Sequence, residues 1–197
     1  KKSWVPQSIM FSGNTDCYQP VERKLNITRA CLEVFLKFRN PVGVITKNAL
    51  IQKDINILKH LAELNLVSVV ISVTTLKREL SRKLEPRTSV PQKRLETIEK
   101  LAKAGIPVGV NVAPIIPGLT DEEIPAILEA AASHGAKFSG RTIIRLPYSV
   151  KDLFLEWLER NYPEKASKIL NRIRDVRGGE LSSAEFGKRM RGEGKYA

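Results

Sequence analysis

The side chains of this chain that could do chemistry gather just beyond its short apolar runs. After the run at 8–12 come Asn14, Thr15, Asp16 and Cys17, and after the run at 42–46 comes Lys47. The run at 68–74 carries Ser72 and Thr74, and the run at 107–112 carries Asn111 and is followed by Pro114 and Ile115. The last run, 142–145, leads into Leu146. Lys47 is a point cation with three donors, and Thr15, Ser72 and Thr74 add neutral hydroxyls. Together they suit the carboxylate and amine of an amino-acid-like ligand. Asn111 can donate to one sugar hydroxyl and accept from another. The prolines and isoleucines around it offer flat apolar walls for a base. Any one of these residues would serve as a cap or a turn, but five successive ends of this kind exceed what caps and turns require.

Other chemistries are poorly served. His60 and His134 fall within or at the end of helical segments, which argues against imidazole acid–base or zinc chemistry. The two cysteines, Cys17 and Cys31, make no disulfide framework, and their spacing fits no zinc or cluster motif, so no metal ligand is assigned. Cys31 lies in an apolar helical face and reads as core; Cys17, in a polar loop, is the candidate catalytic thiol. Thirty-three basic residues against 21 acidic ones give a net charge of +12, spread evenly along the chain. Such an excess suits nucleic acid or another anionic partner. Charges interrupt every apolar run before it reaches the roughly 18–20 residues of a membrane span. No signal-peptide stretch follows the polar start. The expectation is a soluble, cytoplasmic protein with no membrane partner.

These residues need a scaffold that brings strand ends together. The apolar runs are short, rich in Val and Ile and not alternating, as expected of strands buried on both faces. Between them lie helix-period segments. Thr28 is placed to cap a helix carrying Leu32, Phe35 and Leu36, and Ile55, Leu58, Leu61 and Ala62 repeat the pattern. Pro91 opens a helix through Leu95, Ile98 and Leu101 that stops at Gly105, and Thr120 precedes three acids in a first turn. Strands alternating with helices give a parallel sheet with right-handed crossovers. With no Gly-rich phosphate fingerprint after the first strand, a barrel is favoured over a dinucleotide-binding sheet, and its chemistry should sit at the carboxyl ends of its strands. After Pro147 two helices follow each other, 150–161 and 163–176.

The runs FSGNTDCYQP, ITKNALIQKDI, ISVTTLKRELSRKLEPRTSVPQKRL, AGIPVGVNVAPIIPGLTDEEIP and IIRLP, in this order, resemble radical S-adenosylmethionine proteins of the spore photoproduct lyase-like group. The resemblance is strong over 4–147 and continues through RGGEL and FGKRMRGEG. It implies an α/β fold, a partial parallel (β/α) barrel at 1–148 from the second strand onward. A C-terminal helical extension would follow at 149–181 and a basic, loosely ordered tail at 182–197. It implies S-adenosylmethionine and a 4Fe-4S cluster as cofactors. By position, Thr15, between Asn14 and Asp16, would meet the methionine amino group, and Lys47 and Ser72, with Thr74 beside them, its carboxylate. Asn111 would lie near the ribose, and Pro114, Ile115 and Leu146 near the adenine. Glu85, Pro86, Arg87 and Arg94 look like the group's loop and helix over the site, or equally like a surface ion-pair cluster.

Two departures shape the expectation. The group's CxxxCxxC cluster loop is not in the sequence, so the chain is expected to be an N-terminally truncated fragment, inactive alone, that self-associates through an open barrel edge. This sequence also has Gly13 where the group carries a hydrogen-donating cysteine, which argues against thymine-dimer repair. The intact protein would cleave S-adenosylmethionine reductively to start radical chemistry, on a nucleic-acid-type substrate. The alternative is a basic nucleic-acid-binding module on a barrel scaffold.

Overall fold

In a computed structural model, which describes residues 3–182 and Gly192, the chain follows the expected alternation. The elements run β1 (Ile9–Phe11), α1 (Glu22–Leu25), α2 (Ile27–Lys37), β2 (Val42–Thr46), a 3-10 segment at Ala49–Asp54, α3 (Ile55–Glu63) and β3 (Val67–Val73). They continue with α4 (Arg78–Leu84), α5 (Pro91–Lys103), β4 (Val108–Ile115), a 3-10 turn at Asp121–Glu123, α6 (Ile124–Ser133) and β5 (Ser139–Ile143). The last are α7 (Ser149–Asn161) and α8 (Pro163–Asp175). The strands form one parallel sheet in the order β1-β2-β3-β4-β5, a partial (β/α) barrel whose edge strands are β1 and β5. Most of the expected tail lies outside the described residues, and no helix among those described is long and apolar enough to cross a membrane.

Strand register separates two faces. Val42, Val44, Val67, Val69, Ile71 and Val73 are all buried on the face that α3 and α5 cover, with Leu58, Leu61, Leu95, Ile98 and Leu101 as helical counterparts. The other face has a lighter row, Met10 beside Gly43 beside Ser68. A Cβ on Gly43 would stand 2.7 Å from the Met10 Cε, so glycine is what lets that side chain lie across the strand. α5 stops as expected, at Gly105 in the left-handed region (φ +78).

Some boundaries differ from expectation. Pro114 lies inside β4 rather than beyond it, and Ile115 accepts from the Ile144 amide at 2.9 Å. β5 begins at Ser139 instead of 142, because an exposed polar opening hides an edge strand from a pattern based on apolar runs. Thr28 does not cap α2. Asn26 takes left-handed backbone before the helix, and Glu22 caps it, accepting from the Ile27 and Thr28 amides at 3.0 Å each. Burial pushes the Glu22 carboxyl up, but the Thr28 amide and Lys53 outweigh it and hold it below the usual range. Thr120 makes no side-chain cap either; its hydroxyl accepts from the Ile116 amide at 2.8 Å.

The chain falls into two compact units that do not follow chain order. One holds everything up to Asn111 together with Ala126–Gly140; the other holds Val112–Pro125 and the chain from Arg141 onward.

Candidate functional site

In the first unit, the loop after β1 is tied down by one carboxylate. Asp16 accepts from the Thr46 hydroxyl at 2.7 and 2.9 Å, from the Lys47 amide at 2.8 Å and from the Tyr18 amide at 2.8 Å. Its oxygens therefore join the end of β1 to the end of β2. Asn14 and Thr15, beside it, are exposed. The Cys17 amide donates to the Ser12 hydroxyl, and the Cys17 carbonyl accepts from the Thr28 hydroxyl at 2.6 Å. Burial, with a smaller push from the Asp16 charge, raises the Cys17 thiol to about 11, so at neutral pH it is protonated. Tyr18 is fully buried and donates to Asp54 at 3.1 Å, while Asp54 also accepts from Arg29 at 3.1 Å. Burial and then the Asp54 charge push the Tyr18 phenol upward.

The ends of β2 and β3 meet at a second carboxylate. Glu85, just past α4, accepts from the Lys47 ammonium and the Thr74 hydroxyl on one oxygen, and from Arg94 at 2.7 Å on the other. Arg94, on α5, also donates to the Ser89 carbonyl at 2.7 Å, the Ser72 carbonyl at 2.9 Å and the Thr88 hydroxyl. Side-chain exposure is 8% for Glu85, 2% for Arg94 and 27% for Lys47, so the ion-pair cluster is buried, not superficial. Burial alone would raise the Glu85 carboxyl, but the Lys47 and Arg94 charges outweigh it and hold it below the usual carboxylate range. Asn111, on β4, is half-buried, and its Oδ1 lies beside Gly140, where an added Cβ would make an ordinary contact at 3.4 Å.

In the second unit, Ile115 and Leu146 are buried, and the Ala113–Pro114 peptide is cis. Arg177, which opens the RGGEL run, donates to the Ile143 and Ile144 carbonyls at 3.1 and 2.6 Å and so satisfies the end of β5.

Sequence reasoning foresaw Lys47, Ser72 and Thr74 at neighbouring strand ends. It missed that Asp16 is fully engaged by protein donors and that Glu85 and Arg94 are buried. The signal for the latter was an acid and an arginine nine positions apart, flanking Pro86 and Pro91, with Arg94 in register with the buried Leu95 and Ile98 of α5. Tyr18 and Asp54 gave no signal of their pairing.

The donors at these strand ends, the Lys47 ammonium and the threonine hydroxyls, are of the kind that a ligand carboxylate accepts from. They do not fit an iron–sulfur cluster: among the described residues no three His, Cys, Asp or Glu side chains gather to hold a metal, and Cys17 and Cys31 are free thiols.

Comparison with known proteins bears on the family and the fold. The sequence profile of the Radical SAM superfamily matches residues 1–131. An uncharacterised protein of Mycobacterium tuberculosis (strain H37Rv) is 31% identical over 172 residues, covering 85% of this chain and 50% of its own length. One of Methanocaldococcus jannaschii is 26% identical over 172 residues, 87% of this chain and 63% of its own. The chain thus spans about half the length of the first relatives it matches. Among solved structures, a cysteine-to-serine mutant of spore photoproduct lyase superposes with a TM-score of 0.59 at 18% identity, covering 82% of this chain and 47% of that one. A double mutant of the same enzyme, solved with bound AdoMet and dinucleoside spore photoproduct, gives a TM-score of 0.51 at 18% identity, covering 81% and 46%. At that identity the likeness is one of fold.

Proposed function

This chain belongs to the radical S-adenosylmethionine superfamily, and on that premise we propose that the strand ends of its first unit hold the amino-acid part of S-adenosylmethionine in a radical enzyme. A four-iron cluster of the kind that superfamily carries would supply the electron for such chemistry, and no set of described residues in this chain would hold it. Lys47 and Ser72 take the carboxylate, with Thr74 beside them. Thr15, exposed next to Asn14, takes the amino group. Asp16 acts one step back, because its oxygens are spent on holding the Lys47 backbone. Asn111 meets the ribose.

The observation that supports this reading is the Lys47 ammonium at the carboxyl end of a parallel strand, bound to a buried glutamate yet with 27% of its side chain exposed. A charged hydrogen bond to a carboxylate makes Lys47→Ala weaken S-adenosylmethionine by about one to two decades. Calorimetric titration of the protein with S-adenosylmethionine reads this directly. Affinity equal to wild type would remove Lys47 from the site.

Cys17 is the candidate for the chemistry that follows. Its protonated thiol can give a hydrogen atom to a carbon-centred substrate radical, forming a C–H bond and leaving a thiyl radical. A thiolate could not do this. The substrate class is nucleic acid, supported by the net charge of +12 and by the dinucleoside bound to the solved lyase. The same charge supports a second reading, a nucleic-acid-binding module without catalysis. Oligonucleotide binding that persists in the Lys47→Ala protein, with no measurable S-adenosylmethionine affinity in the wild type, would favour that reading.

A further inference from the structure

A lysine ammonium on a flexible four-carbon stem makes a poor fixed electrode unless something holds it. Here the holding is done by a series of contacts that starts on backbone. The Ser72 and Ser89 carbonyls fix the Arg94 guanidinium at 2.9 and 2.7 Å, and the Arg94 side chain is 2% exposed. Arg94 fixes one oxygen of Glu85 at 2.7 Å. The other oxygen of Glu85 holds the Lys47 ammonium and, at 2.9 Å, the Thr74 hydroxyl. We infer that Glu85 is the positioning residue for the ligand-carboxylate subsite, with Arg94 as its anchor and neutralising charge. This rests on the reading of Lys47 given above.

The charge balance explains why the pair is needed. Glu85 alone would neutralise Lys47 and repel a ligand carboxylate beyond it. Arg94 cancels that negative charge from the buried side, so the trio of two cations and one anion keeps one positive charge. Lys47 is its most exposed member. Its ammonium has three donors, and Glu85 engages it through a single oxygen, which leaves hydrogens for a ligand. Thr74 is set by the same oxygen, and Ser72 lends its carbonyl to Arg94, so the polar ends of β2 and β3 depend on one carboxylate.

The test uses the protein and two ligands, S-adenosylmethionine and methylthioadenosine, which shares the nucleoside but lacks the amino and carboxylate groups. Glu85→Gln should weaken S-adenosylmethionine about tenfold and leave methylthioadenosine unchanged. The double variant with Lys47→Ala should bind little more weakly than Lys47→Ala alone, because Glu85 reaches the ligand chiefly through that ammonium and only secondarily through Thr74. Glu85→Asp, which keeps the charge on a shorter stem, should recover part of the loss. If Glu85→Gln fails to fold, Glu85→Asp carries the test by itself, with a smaller loss confined to S-adenosylmethionine. The inference is overturned by equal losses for both ligands, by losses that multiply in the double variant, or by a Glu85 variant that binds like wild type while Lys47→Ala does not. If Lys47→Ala itself has no effect, the S-adenosylmethionine reading falls first.

Discussion

Two carboxylates organise the strand ends of the first unit, and they do so differently. Asp16 is satisfied by neutral donors: a threonine hydroxyl and the amides of Tyr18 and Lys47. Glu85 is satisfied by two cations and a hydroxyl that arrive from three separate elements. The first arrangement is a clamp, which joins two loops and leaves nothing over for a ligand. The second leaves a surplus cation at the mouth of the strands. Nearness to a strand end therefore does not by itself make a residue part of a site; what counts is whether its bonding capacity is already used.

Stability measurements break or sharpen that contrast most strongly. Glu85→Gln strands a buried guanidinium, and breaking a buried pair costs about 3–5 kcal/mol. Asp16→Asn keeps one acceptor oxygen and strands no cation, so the expected loss is about 1–3 kcal/mol. Urea denaturation of the two variants should place Asp16→Asn between wild type and Glu85→Gln. The reverse order would mean that the Arg94–Glu85 pair is wetter than its burial implies.

The scaffold was legible because every buried strand is a compact Val/Ile run, and because Pro91 and Gly105 punctuate α5 at its two ends. The exposed start of β5 was not, since Ser139, Gly140 and Arg141 carry no apolar signal. Lys47, Ser72 and Thr74 were legible as a group because a parallel fold sends its strand ends to one side. The roles of Asp16 and Glu85 were not, because composition does not show whether an acid faces amides, cations or water. The capping of α2 was misread for a related reason: Glu22 reaches its amides from five and six positions upstream, outside the usual capping offset.

The clamp side of the contrast has a pH signature. The Cys17 thiol is raised from an ordinary value of 9.0 to about 11, chiefly by burial. Because its folded value is above its unfolded one, its contribution to stability is complete below pH 9 and disappears as pH rises through about 11. Alkylation by iodoacetamide should therefore be slow at pH 8 for this cysteine and reach half its maximal rate near pH 11. Rapid labelling at pH 8 would show a thiolate, and would remove Cys17 as a hydrogen-atom donor.

The smallest expected effect separates two lysines that both meet a buried glutamate. Lys53 donates to the Glu22 carbonyl at 2.7 Å, to a Glu22 carboxylate oxygen at 3.2 Å and to Asn26 at 2.9 Å. Those three bonds use all three of its hydrogens, and its side chain is 23% exposed. Lys47 is similarly exposed but is held through one Glu85 oxygen. Lys53 is thus a staple across the start of α2, and Lys53→Ala should cost about 1–3 kcal/mol, since it leaves the buried Glu22 carboxylate with its two amide donors alone. It should leave the S-adenosylmethionine affinity at the wild-type value, while Lys47→Ala lowers it. Titrating both alanine variants side by side decides the point. Matching losses would mean that the two lysines act through general positive charge, so that unused donors at a strand end are not what defines the site.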